Sequence, residues 1–187
     1  DDTAQYNTAY GITALDAITT GDKNTAIGNA AGTAITEATD SVLIGYETGA
    51  AITTGVKNVA VGSFALDAAN TGQENTAIGH QALTADTKGQ RNVAVGAGAL
   101  GTQNFTSATN SYNIGVGYNA GNLITTGQSN TLIGALAGDG FDTESNNLAI
   151  GQAALGGAVA GGEYNVAIGN NTLDALTSAD SVTAIGY

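Results

Sequence analysis

The residues able to do chemistry in this chain are few and scattered. Its single His, His80, lies beside Gln81, and no second metal-type ligand repeats around it. Cys is absent, so there is no thiol nucleophile and no disulfide framework. The Ser and Thr residues have no His partner from which a catalytic triad could be built. Gly96-Ala97-Gly98-Ala99-Leu100-Gly101 spells the Gly-x-Gly-x-x-Gly of dinucleotide-binding turns, but no helix or βαβ context follows it. Asp139, Asp142 and Glu144 place three carboxylates within six residues beside Gly140, a grouping that could gather oxygen ligands around calcium. Its spacing is neither that of an EF-hand nor that of the Gly-Gly-x-Gly-x-Asp calcium β-roll, and solvated turn carboxylates are the expectation. Asp16, Asp67 and Asp174 share one register of the chain, but the intervening units put other residues there. No catalytic group, cofactor site or metal site is therefore assigned, and the expectation is a protein that is not an enzyme.

Composition narrows the class further. Hydrophobic residues make up 42% of the 187, yet Trp, Met and Pro are absent and aromatics reach only 5%. A chain this rich in Ala, Gly and Thr reaches native packing density only where backbones come very close together, as stacked coils do. The formal net charge is −12, with four Lys and Arg in total. That leaves no basic footprint for nucleic acid and no attraction to an anionic membrane surface. No apolar run is long enough for a membrane span, so membrane insertion is not expected. A charged-then-apolar signal segment is also missing, which suits a mature product or a fragment.

What positions these residues is an internal repeat. The motif Asn-x-Ala-Ile/Val-Gly starts at Asn7, Asn24, Ser41, Asn58, Asn75, Asn92, Asn113, Asn130, Asn147, Asn165 and Val182. The interval is seventeen residues except for twenty-one after Asn92 and eighteen after Asn147. So small a slip, in phase on both sides, marks a loop insertion, here within 101–112. Position five is Gly in every copy, including Gly28, Gly62, Gly79, Gly96, Gly134, Gly151 and Gly169. Position four is Ile or Val in all but one, as in Ile27 and Ile78, and position two is Thr, Val, Ile or Leu, all strand-forming types. Thr-Gly pairs such as Thr20-Gly21, Thr71-Gly72 and Thr126-Gly127 read as turns. A helical reading fails because Gly in every unit would cost on the order of 1 kcal/mol each against Ala. The expected fold is all-β, a single parallel β-solenoid (β-roll or β-helix) of ten to eleven coils over 1–187. At about 4.8 Å per coil it makes a rod on the order of 50 Å long.

Period-two geometry puts positions two and four on one strand face and one, three and five on the other. Neither face is hydrophilic, so both should be covered, one by the coil interior and one by a partner. The partner is expected over the Asn/Ala/Gly face, with two sister chains of a trimer as the candidate. The register of Asn24, Asn58, Asn75, Asn92, Asn130, Asn147 and Asn165 suits an amide ladder in which each side chain bonds its copy in adjacent coils. The insertion carries Asn104, Phe105, Asn110 and Tyr112, candidate contact residues because loops on rigid scaffolds commonly bind. Thr-Thr pairs at 19–20, 53–54 and 125–126 are too irregular for a flat, ice-binding Thr face.

The Asn-x-Ala-Ile-Gly units, with Asn75-Thr76-Ala77-Ile78-Gly79-His80-Gln81-Ala82-Leu83 nearest the pattern, resemble the head repeats of trimeric autotransporter adhesins. They resemble more closely the longer repeats of bacterial and phage fibre-like proteins that carry an endosialidase-type chaperone domain. The resemblance covers essentially the whole chain and implies an extracellular, cell-surface or virion-fibre setting. Autotransporter heads repeat every fourteen or so residues rather than seventeen, and no coiled-coil stalk, membrane anchor or chaperone domain is expected within these 187 residues. Three functions follow as expectations. One is a structural or adhesive fibre segment that self-associates as a homotrimer. The second is a filament subunit stacked end to end, and the third a phage-type receptor-binding segment. The partners are the chain itself and a cell-surface or glycan receptor. A carbohydrate-active fibre would need paired carboxylates, which cannot be named.

Overall fold

The computed structural model describes residues 3–157 and 162–187. The β-branched motif positions form strands because their branched side chains suit a pleated surface. In chain order these are β1 (Thr8–Tyr10), β2 (Thr25–Ile27), β3 (Val42–Ile44), β4 (Val59–Val61), β5 (Thr76–Ile78), β6 (Gly89–Gln90), β7 (Val93–Val95) and β8 (Thr109–Asn110). They continue as β9 (Ile114–Val116), β10 (Thr131–Ile133), β11 (Leu148–Ile150), β12 (Val166–Ile168) and β13 (Thr183–Ile185). All but β6 and β8 stack in chain order into one eleven-stranded sheet. Every pairing is parallel and aligns like motif positions, as Ala60 with Ala77 and Val61 with Ile78. The described residues contain no helix, and the architecture is a parallel β-solenoid with a period of about seventeen residues. The short pair β6–β8 forms beside the insertion, where Gly89 aligns with Thr109.

Coils are numbered here from Asn7 as coil 1, and positions from the motif Asn. Position five turns the chain out of the strand. Gly79 sits at φ 136°, and a Cβ there would lie 2.5 Å from the carbonyl oxygen of Gly96 in the next coil, so the stack admits only glycine. Three further positions per coil, seven, nine and seventeen, take left-handed backbone, and in several coils none of the three is glycine. In coil 5 these are Gln81, Leu83 and Arg91, at φ 55°, 53° and 62°. A left-handed turn costs a non-glycine residue roughly 1–2 kcal/mol, and here it is held by inter-coil bonds such as Gln81 N–H to Ser63 O at 3.0 Å and Leu83 N–H to Ala99 O at 3.0 Å.

The core is a single file of side chains from positions three, eight, nine and twelve. Large and small residues alternate in a compensating way. Leu43 at position three lies between Gly32 and Gly49 at position nine, where an added Cβ would meet its methyls at 2.8 and 2.9 Å. Leu132 sits in the same way against Gly138, at 2.6 Å. Where position nine is Leu, as at Leu66, Leu83 and Leu100, position three shrinks to Ala or Gly, and a Cβ on Gly115 would come 2.9 Å from Leu100 Cγ. Bulky side chains thus face alanine or glycine in the same or an adjacent coil.

Candidate functional site

The strand faces are disposed opposite to the expectation above. Positions one and three point into the coil: Asn24, Asn58, Asn92, Asn130 and Asn165 are fully buried, as are Ala26, Ala60, Ala77 and Ala94. The reason is volume, since adjacent layers at strand spacing leave room for amides and methyls, whereas two Val or Ile columns would overfill the interior. A partner over the Asn/Ala/Gly face is therefore excluded, because that face is the core.

The Asn column is a ladder, but its rungs run mainly to the backbone. Each Asn Oδ1 accepts from the backbone N–H of the next coil's first residue, as Asn75 N–H to Asn58 Oδ1 (3.0 Å) and Asn147 N–H to Asn130 Oδ1 (3.0 Å). Its Nδ2 donates to the turn carbonyl fourteen residues on: Asn7 to Gly21, Asn24 to Ala38, Asn58 to Gly72, Asn75 to Gly89 and Asn130 to Glu144. Asn thus closes its own coil and fixes the next. Only Asn92 bonds its copy directly, through Nδ2 to Asn75 Oδ1 at 3.1 Å. In coil 3 Ser41 replaces Asn and accepts the Asn58 N–H through Oγ at 3.2 Å.

The opposite face looks outward. Position four sets a column of Ile and Val after Tyr10, position two one of Val, Ile and Leu mixed with Thr25, Thr76 and Thr131, and Ile27, Ile78 and Ile133 remain 37%, 39% and 38% exposed. No charged residue interrupts either column from Thr8 to Ile185. This strip runs the length of the eleven-stranded sheet.

The insertion is not one exposed patch. Phe105 is buried, with its N–H donating to Asp86 Oδ1 at 3.3 Å and its carbonyl accepting from Thr87 Oγ1 at 2.9 Å. Asn104 is exposed but tied to Thr87 through its Oδ1 (3.0 Å), and Asn110 lies on β8. Tyr112 is half-exposed, with its hydroxyl accepting from Arg91 Nη1 at 3.0 Å and its ring 5.8 Å from the guanidinium carbon. Arg91 also forms an ion pair with Glu74 (2.9 Å), which holds the Glu74 carboxyl below its ordinary range, with a smaller contribution from Lys57. These residues belong to a column at position seventeen, Lys23, Asp40, Lys57, Glu74 and Arg91, whose charge alternates coil by coil. The seventeen-residue spacing of those charges is visible in the sequence once the coils are aligned.

Beneath the insertion lies a buried polar cluster whose signal in the sequence is the change of position twelve from Ile or Ala to Asp and Gln. Asp86 accepts from Gln103 Nε2 (2.6 Å) and from Gly89 N–H (2.8 Å), and Gln103 Oε1 accepts from Asn113 Nδ2 (2.7 Å). Burial pushes the Asp86 carboxyl above its ordinary range against these hydrogen bonds. Among Asp139, Asp142 and Glu144, the Glu144 carboxylate turns inward to accept the N–H groups of Asp142 (2.6 Å) and Thr143 (3.0 Å). Among the described residues no three Asp, Glu or His side chains converge to hold a metal ion. His80 is exposed and packs edge-on against Phe64, whose ring meets Tyr46 in the same manner. The hydroxyls of Thr19, Thr36 and Thr53 donate to carbonyls of the following coil, so that column is spent on stacking. Gly96 to Gly101 forms an ordinary coil turn, with Gly96 N–H bonded to Ile78 O at 2.7 Å.

Comparison with protein-family models, with curated proteins and with solved structures found no match to this chain.

Proposed function

We propose that the chain is a rigid segment of an extracellular structural or adhesive fibre and that it self-associates through its outward aliphatic face. The observation that supports this reading is the outward double column of mostly β-branched side chains, uninterrupted by any charge. At about 4.8 Å per strand it runs about 50 Å, with its two columns about 7 Å apart across each strand. A monomer would leave this continuous strip in water, and contiguous exposed apolar strips mark interaction sites. A parallel homotrimer brings three such faces together around one axis with every coil in register, the assembly implied by the resemblance to trimeric adhesin heads. The role is mechanical and adhesive rather than catalytic.

Light scattering coupled to size exclusion tests it. The expected mass is three times the 18.3 kDa chain, and Ile78→Asp with Ile133→Asp should yield monomers with an unchanged β-type circular dichroism spectrum. A wild-type chain that stays monomeric at micromolar concentration overturns the reading.

A further inference from the structure

We propose that coils 5 to 8 carry, on the side that returns from the strand, a groove that binds a neutral oligosaccharide. This deepens the adhesive part of the reading above and rests on it. Two adjoining cavities of about 250 and 360 Å³ share Thr102 as their common wall. Neither is lined by a residue of positions two or four, so both stay open when the aliphatic face is covered.

The first cavity exists because two turn positions lack side chains. Positions seven and ten carry Gln81 and Thr84 in coil 5 and Asn119 and Asn122 in coil 7, but Gly98 and Gly101 in coil 6. A Cβ at Gly98 would collide with Asn119 Oδ1, and one at Gly101 with Asn122 Oδ1, so these amides lean into the space the glycines leave. Among the described residues the side-chain amides of Gln81, Asn119 and Asn122 have no hydrogen-bond partner, in contrast to the saturated Asn ladder inside.

The lining selects the ligand. A carboxamide offers a donor and an acceptor side by side, which matches neighbouring hydroxyls that each donate and accept. No charged side chain lines the first cavity, and the net charge of −12 opposes an anionic ligand. The second cavity adds the half-exposed Leu123 beside Gly140, an apolar wall for the C–H face of a sugar ring, and Asp142 as an acceptor at its rim. Four coils at about 4.8 Å span about 15 Å between the outer layers, room for a short run of rings rather than a single one.

The test uses the full chain with maltotriose, cellotriose, triacetylchitotriose and xylotriose as probes, read by saturation-transfer NMR and then by calorimetry. At least one should bind. Gly101→Thr, which installs the residue that coil 5 carries at this position, should weaken that binding at least tenfold, as should Asn119→Ala with Asn122→Ala. Melting curves establish that both variants fold. Transfer to none of the four sugars overturns the proposal, as does undiminished binding by both folded variants or tighter binding of sialyllactose than of every neutral probe. The strand-face variants Ile78→Asp and Ile133→Asp leave the groove intact, so sugar binding that survives loss of assembly separates this proposal from the reading it rests on.

Discussion

In coil 3 the interior is filled by Leu43 and Ile52, whereas in coils 5 and 6 position twelve carries Asp86 and Gln103, just as deeply buried. The two regions share backbone path and register and differ in where their polar groups find partners. In a seventeen-residue coil the Asn Nδ2 reaches the carbonyl fourteen residues on. In coil 6 the four extra residues take that carbonyl away. Asn92 Nδ2 turns instead to Asn75 Oδ1, Asn92 Oδ1 accepts from Ser111 Oγ at 2.9 Å, and Asn113 gains Gln103 Oε1. A polar core is thus the complement of an insertion: side chains supply partners where the backbone has moved off. No buried side-chain nitrogen or oxygen is left without one among the described residues.

The difference can be broken most sharply at the ladder. Asn75→Ala strips partners from Asn92 N–H, Asn92 Nδ2 and the Gly89 carbonyl and should cost at least about 3 kcal/mol, at about 1–3 kcal/mol per buried unpaired group. Asn92→Ala has no turn carbonyl to lose and leaves chiefly Asn113 N–H unpaired, so about 1–3 kcal/mol is expected. Denaturant melts of the two variants check the order; equal losses would remove the distinction between the regions.

A pH series on Asp86→Asn sharpens it. The Asp86 carboxyl is raised in the folded chain, so folding takes up a proton between its unfolded and folded pKa values. Its contribution to stability therefore grows as pH falls through the folded value and levels off below the unfolded one. Wild type should gain on the Asn variant as pH drops from neutral toward 4, in melting temperature. The reverse slope would place the charge elsewhere.

The smallest effect is expected from deletion of residues 106–109, which include the exposed Thr106, Ser107 and Ala108. The coil regains its ordinary length, and the carbonyl of Asn110 comes to stand fourteen residues after Asn92. The melting temperature should move by no more than about 3 °C. A collapse in cooperativity would show that the inserted residues hold coils 5 to 7 together.

The coil starts, strand positions and parallel register were all legible in the sequence because position five tolerates only glycine and positions two and four are β-branched in nearly every unit. The facing of the strand was not. Ala60 and Val61 are both apolar, so alternation carries no sign, and only the inter-layer volume decides that Ala goes inward. The left-handed residues at positions seven, nine and seventeen were equally hidden: Leu83 and Arg91 are not turn formers, and the stacked hydrogen bonds impose their conformation. The amide-lined groove is invisible in any one unit, since it arises from glycine in coil 6 meeting Asn in coil 7. Phe105, expected at a contact surface, is aromatic and sits under the insertion for the same reason that Phe141 sits in the core.

The one-directional ladder of Asn oxygens also governs how such a rod is made. Each completed coil presents a buried acceptor that groups of the following coil satisfy, as the Asn75 N–H does for Asn58 Oδ1. The newest layer is therefore a template with unmet demand on one side alone. Assembly is then a slow first nucleus followed by quick, directional zippering, with a barrier set by the first few coils and a rate almost indifferent to how many follow.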